Sequence, residues 1–180
     1  PVGMRREQGR ALGGCVPLCP AYGSKSRAPL VEEAGVAIEP AVKGLMQRSG
    51  SGPAVLLITC GYGPFALPEI KGFATDNMAL VRYPCVAKID TVHLLKALEA
   101  GIDGIIVAGC KEEEQSACPH KDAAGWIQKR IAHVNSLLEE LGLGAGRVAY
   151  LELAFSEAGD FGRIMEEAAE QFKESPSPLR

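Results

Sequence analysis

No stretch of this 180-residue chain approaches the roughly 18–20 unbroken apolar residues that span a bilayer. Met4-Arg5-Arg6-Glu7-Gln8 leads into no apolar run, so the sequence predicts neither membrane anchor nor export signal, and a cytoplasmic location is the expectation. A basic excess is missing too. The net charge is -3 with 23% charged residues, which gives nucleic acid or an anionic membrane surface no electrostatic footing. The chain also has no compact C-x-x-C pair. A dinucleotide fingerprint is incomplete, because Gly61-Tyr62-Gly63-Pro64 lacks the third glycine and Pro64 withholds an N–H that a phosphate would need.

What is present is an ordinary apolar fraction, 47%, in a length that suits one well-buried domain with an appendage. Residues 1–52 carry scattered Gly and Pro and read as a mostly irregular or helical N-terminal extension. Within it Leu30, Val31, Val36, Ile38, Val42, Leu45 and Met46 predict one or two short helical pieces that could dock. Gln47 to Pro53 is a breaker. Residues 53–174 form the compact domain, and 175–180 are a Pro-containing tail.

Inside the domain, strands and helices alternate. Short apolar or β-branched runs at 54–59, 79–83, 104–108 and 148–153 read as strands. Helices are expected at 91–100, with Val92, Leu94, Leu95 and Leu98 apolar, at 122–141, and at 160–173. The middle one carries Trp126, Ile127, Ile131, Val134, Leu137, Leu138 and Leu141 on one face. Such alternation predicts an α/β fold: a flavodoxin- or Rossmann-like open parallel sheet of about four strands, with helices on both faces. Ligands of such sheets gather beyond the carboxyl ends of the strands.

The six cysteines are Cys15, Cys19, Cys60, Cys85, Cys110 and Cys118. In a reducing compartment, free thiols point to metal ligation or thiol chemistry more than to structural disulfides. Cys60, Cys85 and Cys110 stand 25 residues apart, each just after a predicted strand, so all three fall on one edge of the sheet. Cys118, in the loop after the third strand, can fold back to that edge. Four thiolates hold zinc or an iron–sulfur cluster, and ligand type alone leaves both open. The acidic run Glu112-Glu113-Glu114 between Cys110 and Cys118 is compatible with ionised thiolates where a metal supplies positive charge, and reads equally as a solvated loop.

The progression VLLITC at 55–60, VRYPC at 81–85, LLKALEAGIDG at 94–104 and VAGC at 107–110 resembles the iron–sulfur delta subunit of methyl-viologen-reducing hydrogenases, the MvhD/FlpD family, from about residue 54 to 172. The resemblance implies a [2Fe-2S] electron carrier. Such a carrier relays electrons between a redox enzyme and a heterodisulfide reductase-like flavin and iron–sulfur subunit in anaerobic metabolism. Related domains also occur in quinone-interacting and benzoyl-CoA-reducing complexes. It implies Cys60, Cys85, Cys110 and Cys118 as cluster ligands, with peptide N–H groups at Gly61, Gly63 and Gly109 tuning the potential. The chain departs from the family pattern at Gly63, where a further cysteine is common, and in a longer loop from Cys110 to Cys118. The longer loop makes Cys118 the less secure ligand and His120 its substitute, although a lone histidine there is more often a surface or helix-start residue. Cys15 and Cys19 carry the C-x₃-C-P ending of a ferredoxin run without its first two cysteines, which is half a motif.

Two other classes fit the same thiols. One is a thiol-dependent reductase with Cys60 as nucleophile, Cys85 or Cys110 resolving, and His93 or His120 as base. The other is a zinc-stabilised interaction module.

Overall fold

The structure is a computed structural model, and it describes residues 31–48, 50–111, 122–174 and 177. Four strands, β1 (Val55–Cys60), β2 (Met78–Tyr83), β3 (Gly104–Cys110) and β4 (Val148–Leu153), form one sheet in the order β2-β1-β3-β4, and every pairing is parallel. β1 is buried at every position, as its unbroken apolar run requires of a strand covered on both faces. Edge strand β4 is only half-buried along most of its length, so its apolar and polar residues mix.

The helices are α1 (Val31–Arg48), α2 (Pro68–Lys71), α3 (Thr91–Glu99), α4 (Ala123–Glu140) and α5 (Phe161–Ala169). α3 packs between α1 and α4 on one face of the sheet. The opposite face is covered by α2, α5 and the 3-10 turns at Gly63–Ala66 and Phe155–Asp160, where Phe161 meets Phe65 and Phe73 edge-on at ring separations of 6.5 and 5.1 Å. The predicted α/β architecture is therefore present, with helices on both faces.

The N-terminal helical pieces form one helix. α1 runs through Pro40 and buries Ile38, Val42 and Leu45, spaced to share one side, in the same core as the sheet. α3 starts at Thr91, as expected; Asp90 is the cap residue, and its N–H is 3.4 Å from His93 Nδ1. Just past the Ala100 cap of α3, Gly101 has a φ of 96°, which lets the chain reverse where a side chain would strain.

The expected apolar faces need correction at three residues. α4 buries Ile127, Ile131, Val134 and Leu138, but Trp126 is 58% exposed and Leu141 69%. Val92 on α3 is likewise exposed. Trp126 sits in the first turn of α4 and Leu141 at its C-cap, and Trp126 lies under the Lys129 ammonium at 5.5 Å. The connection between β1 and β2, unassigned from sequence, holds the short α2.

At the amino edge of the sheet the buried Asp103 carboxylate gathers three parts of the chain. It accepts the N–H of Ala54 at 2.8 Å and that of Ser177 at 2.7 Å, while Arg147 donates to the Asp103 carbonyl at 3.1 Å. Burial pulls the Arg147 guanidinium below its usual pKa, and the Asp103 charge opposes that.

Candidate thiol site

The strand order places the site. β1 connects to β2 on one side and the chain then returns across it to β3 on the other, so the crevice between the carboxyl ends of β1 and β3 is a topological switch point. Cys60 is the last residue of β1 and Cys110 the last of β3, so the two thiols flank that crevice. Both were expected just past their strands; they are instead the terminal strand residues.

The two side chains meet. Cys110 engages Cys60 in a side-chain hydrogen bond, the largest influence on the Cys60 thiol, and holds its pKa below the ordinary thiol value. Burial opposes this by penalising the thiolate, while the Tyr62 backbone and the Arg82 guanidinium add to the lowering. The Tyr62 N–H lies 3.4 Å from Cys60 Sγ, and the Cys60 thiol is 3.4 Å from the Tyr62 carbonyl. Sequence reasoning expected such donors at Gly61, Gly63 and Gly109; the peptide that reaches the sulfur of Cys60 belongs to Tyr62. Arg82 comes near because its Nη2 donates to the Gly61 carbonyl at 3.4 Å.

Two glycines make room. Gly63 has φ 57°, and a Cβ built on it would lie 2.6 Å from Cys110 Sγ, well inside contact distance. A Cβ on Gly109 would lie 2.2 Å from the Tyr150 hydroxyl. The absent side chain at Gly63 is thus what leaves the Cys110 sulfur its place. Burial and the charges of Glu152, Cys110 and Cys60 push the Tyr150 phenol well above its ordinary pKa, so it is a standing O–H donor at neutral pH.

Cys85 is buried and opens the 3-10 turn Val86–Lys88, which begins when Lys88 N–H bonds its carbonyl at 2.9 Å. Arg130 of α4 clamps that segment by donating to the carbonyls of Ala87 and, at 3.0 Å, Ile89. Among the described residues no three His, Cys, Asp or Glu side chains converge as a metal-holding group. The structure therefore joins Cys60 to Cys110 and leaves Cys85 outside a three-ligand cluster of described residues. Cys118, His120, the acidic run Glu112–Glu114, Cys15 and Cys19 lie outside the described residues.

His93, considered as a base, is occupied elsewhere, since its Nδ1 is 3.3 Å from the Tyr83 hydroxyl. Burial pushes the Tyr83 phenol up to about 12. Sequence reasoning missed Tyr62, Arg82, Arg130 and Tyr150. Only Tyr150 left a signal, as the aromatic in the fourth strand run; the others act through backbone geometry or tertiary contact. A groove of about 830 Å³ between α1 and α3, lined by residues such as Ile38, Val42, Met46 and Ala97, contains none of these thiols.

The donor set is suited to iron, because soft thiolates with a peptide N–H on sulfur are what iron–sulfur centres use. Comparison with known proteins gives the family. Residues 56–175 match the family described as methyl-viologen-reducing hydrogenase, delta subunit. The iron-sulfur subunit of the F420-non-reducing hydrogenase vhu of Methanocaldococcus jannaschii is 26% identical over 133 residues, covering 71% of this chain and 97% of that protein. Its counterpart in Methanopyrus kandleri is 33% identical over 99 residues, 55% of this chain and 73% of that protein. One ferredoxin:CoB-CoM heterodisulfide reductase subunit of Methanosarcina mazei is 26% identical over 126 residues, which is 68% of this chain and 16% of that protein. With its parallel sheet, its paired thiols at the switch point and a match running through all four strands, the chain belongs to the methyl-viologen-reducing hydrogenase delta-subunit (FlpD) family.

Proposed function

We propose that this chain is an electron-transfer subunit of a hydrogenase and heterodisulfide reductase type of complex, carrying one [2Fe-2S] cluster on Cys60, Cys85, Cys110 and Cys118. The observation that carries the reading is the contact between the Cys60 and Cys110 side chains across the switch-point crevice. Relatives named as iron–sulfur subunits of hydrogenases, and one named as part of a heterodisulfide reductase, support the partner: a flavin- and cluster-bearing subunit of that second kind.

When bound, such a cluster supplies one-electron storage without making or breaking bonds in a substrate. The protein's own residues do the rest. Cys60 and Cys110 present two sulfurs from neighbouring strands, so the rigid sheet fixes their separation. The Tyr62 N–H donates to Cys60 Sγ and stabilises negative charge there. Arg82 places a positive charge near the same sulfur. Gly63 keeps the Cys110 sulfur clear of a side chain. Arg130 holds the turn that follows Cys85, fixing the approach of the third thiol.

The experiment is anaerobic purification of the full chain, with iron and sulfide analysis, visible absorption and EPR. The reading expects about two irons per chain and a colour lost in Cys110→Ser. A Cys110→Ser variant with full cluster content sinks the ligand assignment. The same contact favours one other reading, a thiol reductase cycling through a Cys60–Cys110 disulfide; a colourless, metal-free wild type that yields this disulfide on mild oxidation would replace the first with it.

A further inference from the structure

Tyr150, on edge strand β4, stands close to the thiol edge of the sheet. Through the pairing of Ile58 with Val107 and of Val107 with Tyr150, strand alternation puts Cys60, Gly109 and Tyr150 on one face of the sheet. The ring of Tyr150 runs toward the carboxyl edge, so its hydroxyl fills the space where residue 109 would carry a Cβ, 2.2 Å from that position, and its Cζ lies 3.0 Å away. Gly109 immediately precedes Cys110, and the register brings Cys60 alongside on the neighbouring strand. The hydroxyl makes no hydrogen bond to any described residue. It sits over Gly109, one step along the ladder from the Thr59–Ala108 pair, where Cys60 stands alongside. A half-buried O–H donor seated over Gly109, on the face that carries Cys60 and one residue from Cys110, is a donor waiting for an acceptor at that edge.

We infer that Tyr150 is a positioning residue that sets the reduction potential of the thiol-bound centre: its hydroxyl, admitted by Gly109, donates a hydrogen bond to sulfur at the Cys60/Cys110 edge. The assignment rests on the cluster reading above. A donor to sulfur stabilises the more electron-rich, reduced state more than the oxidised one, so it raises the potential. Reduction adds one electron to the cluster, and the proton stays on Tyr150 throughout. Ala at 109 would drive the hydroxyl away, which explains why a residue without a side chain stands there.

The test compares wild type with Tyr150→Phe, both as full chain purified anaerobically. Iron per chain reports whether a cluster is present at all. The midpoint potential, from an EPR-monitored redox titration, reports the hydroxyl. Tyr150→Phe is expected to keep its iron while the reduced-to-oxidised ratio at fixed ambient potential falls about tenfold, which for a one-electron couple is about 59 mV lower. Full iron with an unchanged potential overturns the inference. Raman spectra of the metal-stripped proteins form the independent arm, because the S–H stretching band shifts when an O–H donor to sulfur is removed. If wild type holds no iron, the cluster reading fails, and the placement of Tyr150 is decided by that band: a shift in Tyr150→Phe supports it, and an unmoved band overturns it.

Discussion

Gly63→Ala is the sharpest single perturbation of the site that leaves every thiol in place. Two costs are built into it. At φ 57° the backbone is left-handed, which costs a residue with a Cβ roughly 1–2 kcal/mol. The new methyl group would also lie 2.6 Å from Cys110 Sγ, so sulfur or backbone must move, an overpacking cost of about 1–3 kcal/mol. Gly142→Ala separates the two. Its φ is 70° and nothing stands within 4 Å of the added atom, so it carries the backbone strain alone. In metal-stripped protein, where bound cluster adds nothing to stability, Gly142→Ala should lower Tm by about 2–8 °C and Gly63→Ala by about 4–20 °C, taking roughly 2–4 °C per kcal/mol for a chain of this size. After reconstitution Gly142→Ala should hold the wild-type iron content, while Gly63→Ala should lose iron or change its visible spectrum. Equal Tm losses in the two variants, together with wild-type iron and spectrum in Gly63→Ala, would refute the packing of residue 63 against Cys110.

Asp103→Ala removes the acceptor of two buried backbone N–H groups and the charge beside buried Arg147; a loss of about 3–5 kcal/mol is expected in chemical denaturation. Thr59→Val should stabilise by about 1 kcal/mol, because the Thr59 hydroxyl is fully buried and has no hydrogen-bond partner among the described residues; a loss of stability would mean the hydroxyl has one. The Glu157 carboxyl is held below its ordinary 4.5 chiefly by the hydrogen bond from Lys111, then by the Ala154 N–H. A folded pKa below the unfolded one gives stability that is present above 4.5 and lost as pH falls through the folded value. Glu157→Gln should therefore flatten the acid limb of Tm against pH, and identical limbs would show that the Lys111 contact is not kept in solution.

The legible parts of the fold were those set by local sequence. β4 falls at the predicted residues, and β1, β2 and β3 begin within one residue of expectation, because short, mainly apolar runs bounded by turn-forming or polar residues leave the chain few alternatives. Trp126 shows the limit. Helical periodicity places it on the apolar face, but periodicity does not say which turns of a helix have a partner to pack on, and Trp126 in the first turn of α4 is exposed. The placing of Cys60 and Cys110 on one sheet edge followed from the strands they end, whereas their adjacency depends on the strand order β2-β1-β3-β4, which was not assigned from sequence. Tyr62 was not legible, since a peptide N–H reaching a sulfur is a matter of turn geometry that leaves no mark in residue type. Arg82 and Arg130 were equally hidden, for their guanidinium groups act across contacts made only in the folded chain.

The latch at Asp103 has a mechanical consequence. A pull on the chain from its carboxyl side would load first the Ser177 N–H bond to that carboxylate and the Phe172 ring seated on Gly104, both at the amino edge of the sheet. Cys60 and Cys110 lie at the far ends of β1 and β3, so tension entering there would spread through the parallel ladders before it reached them. The latch acts as a fuse that yields ahead of the thiols, leaving their spacing unchanged while the tail is tugged.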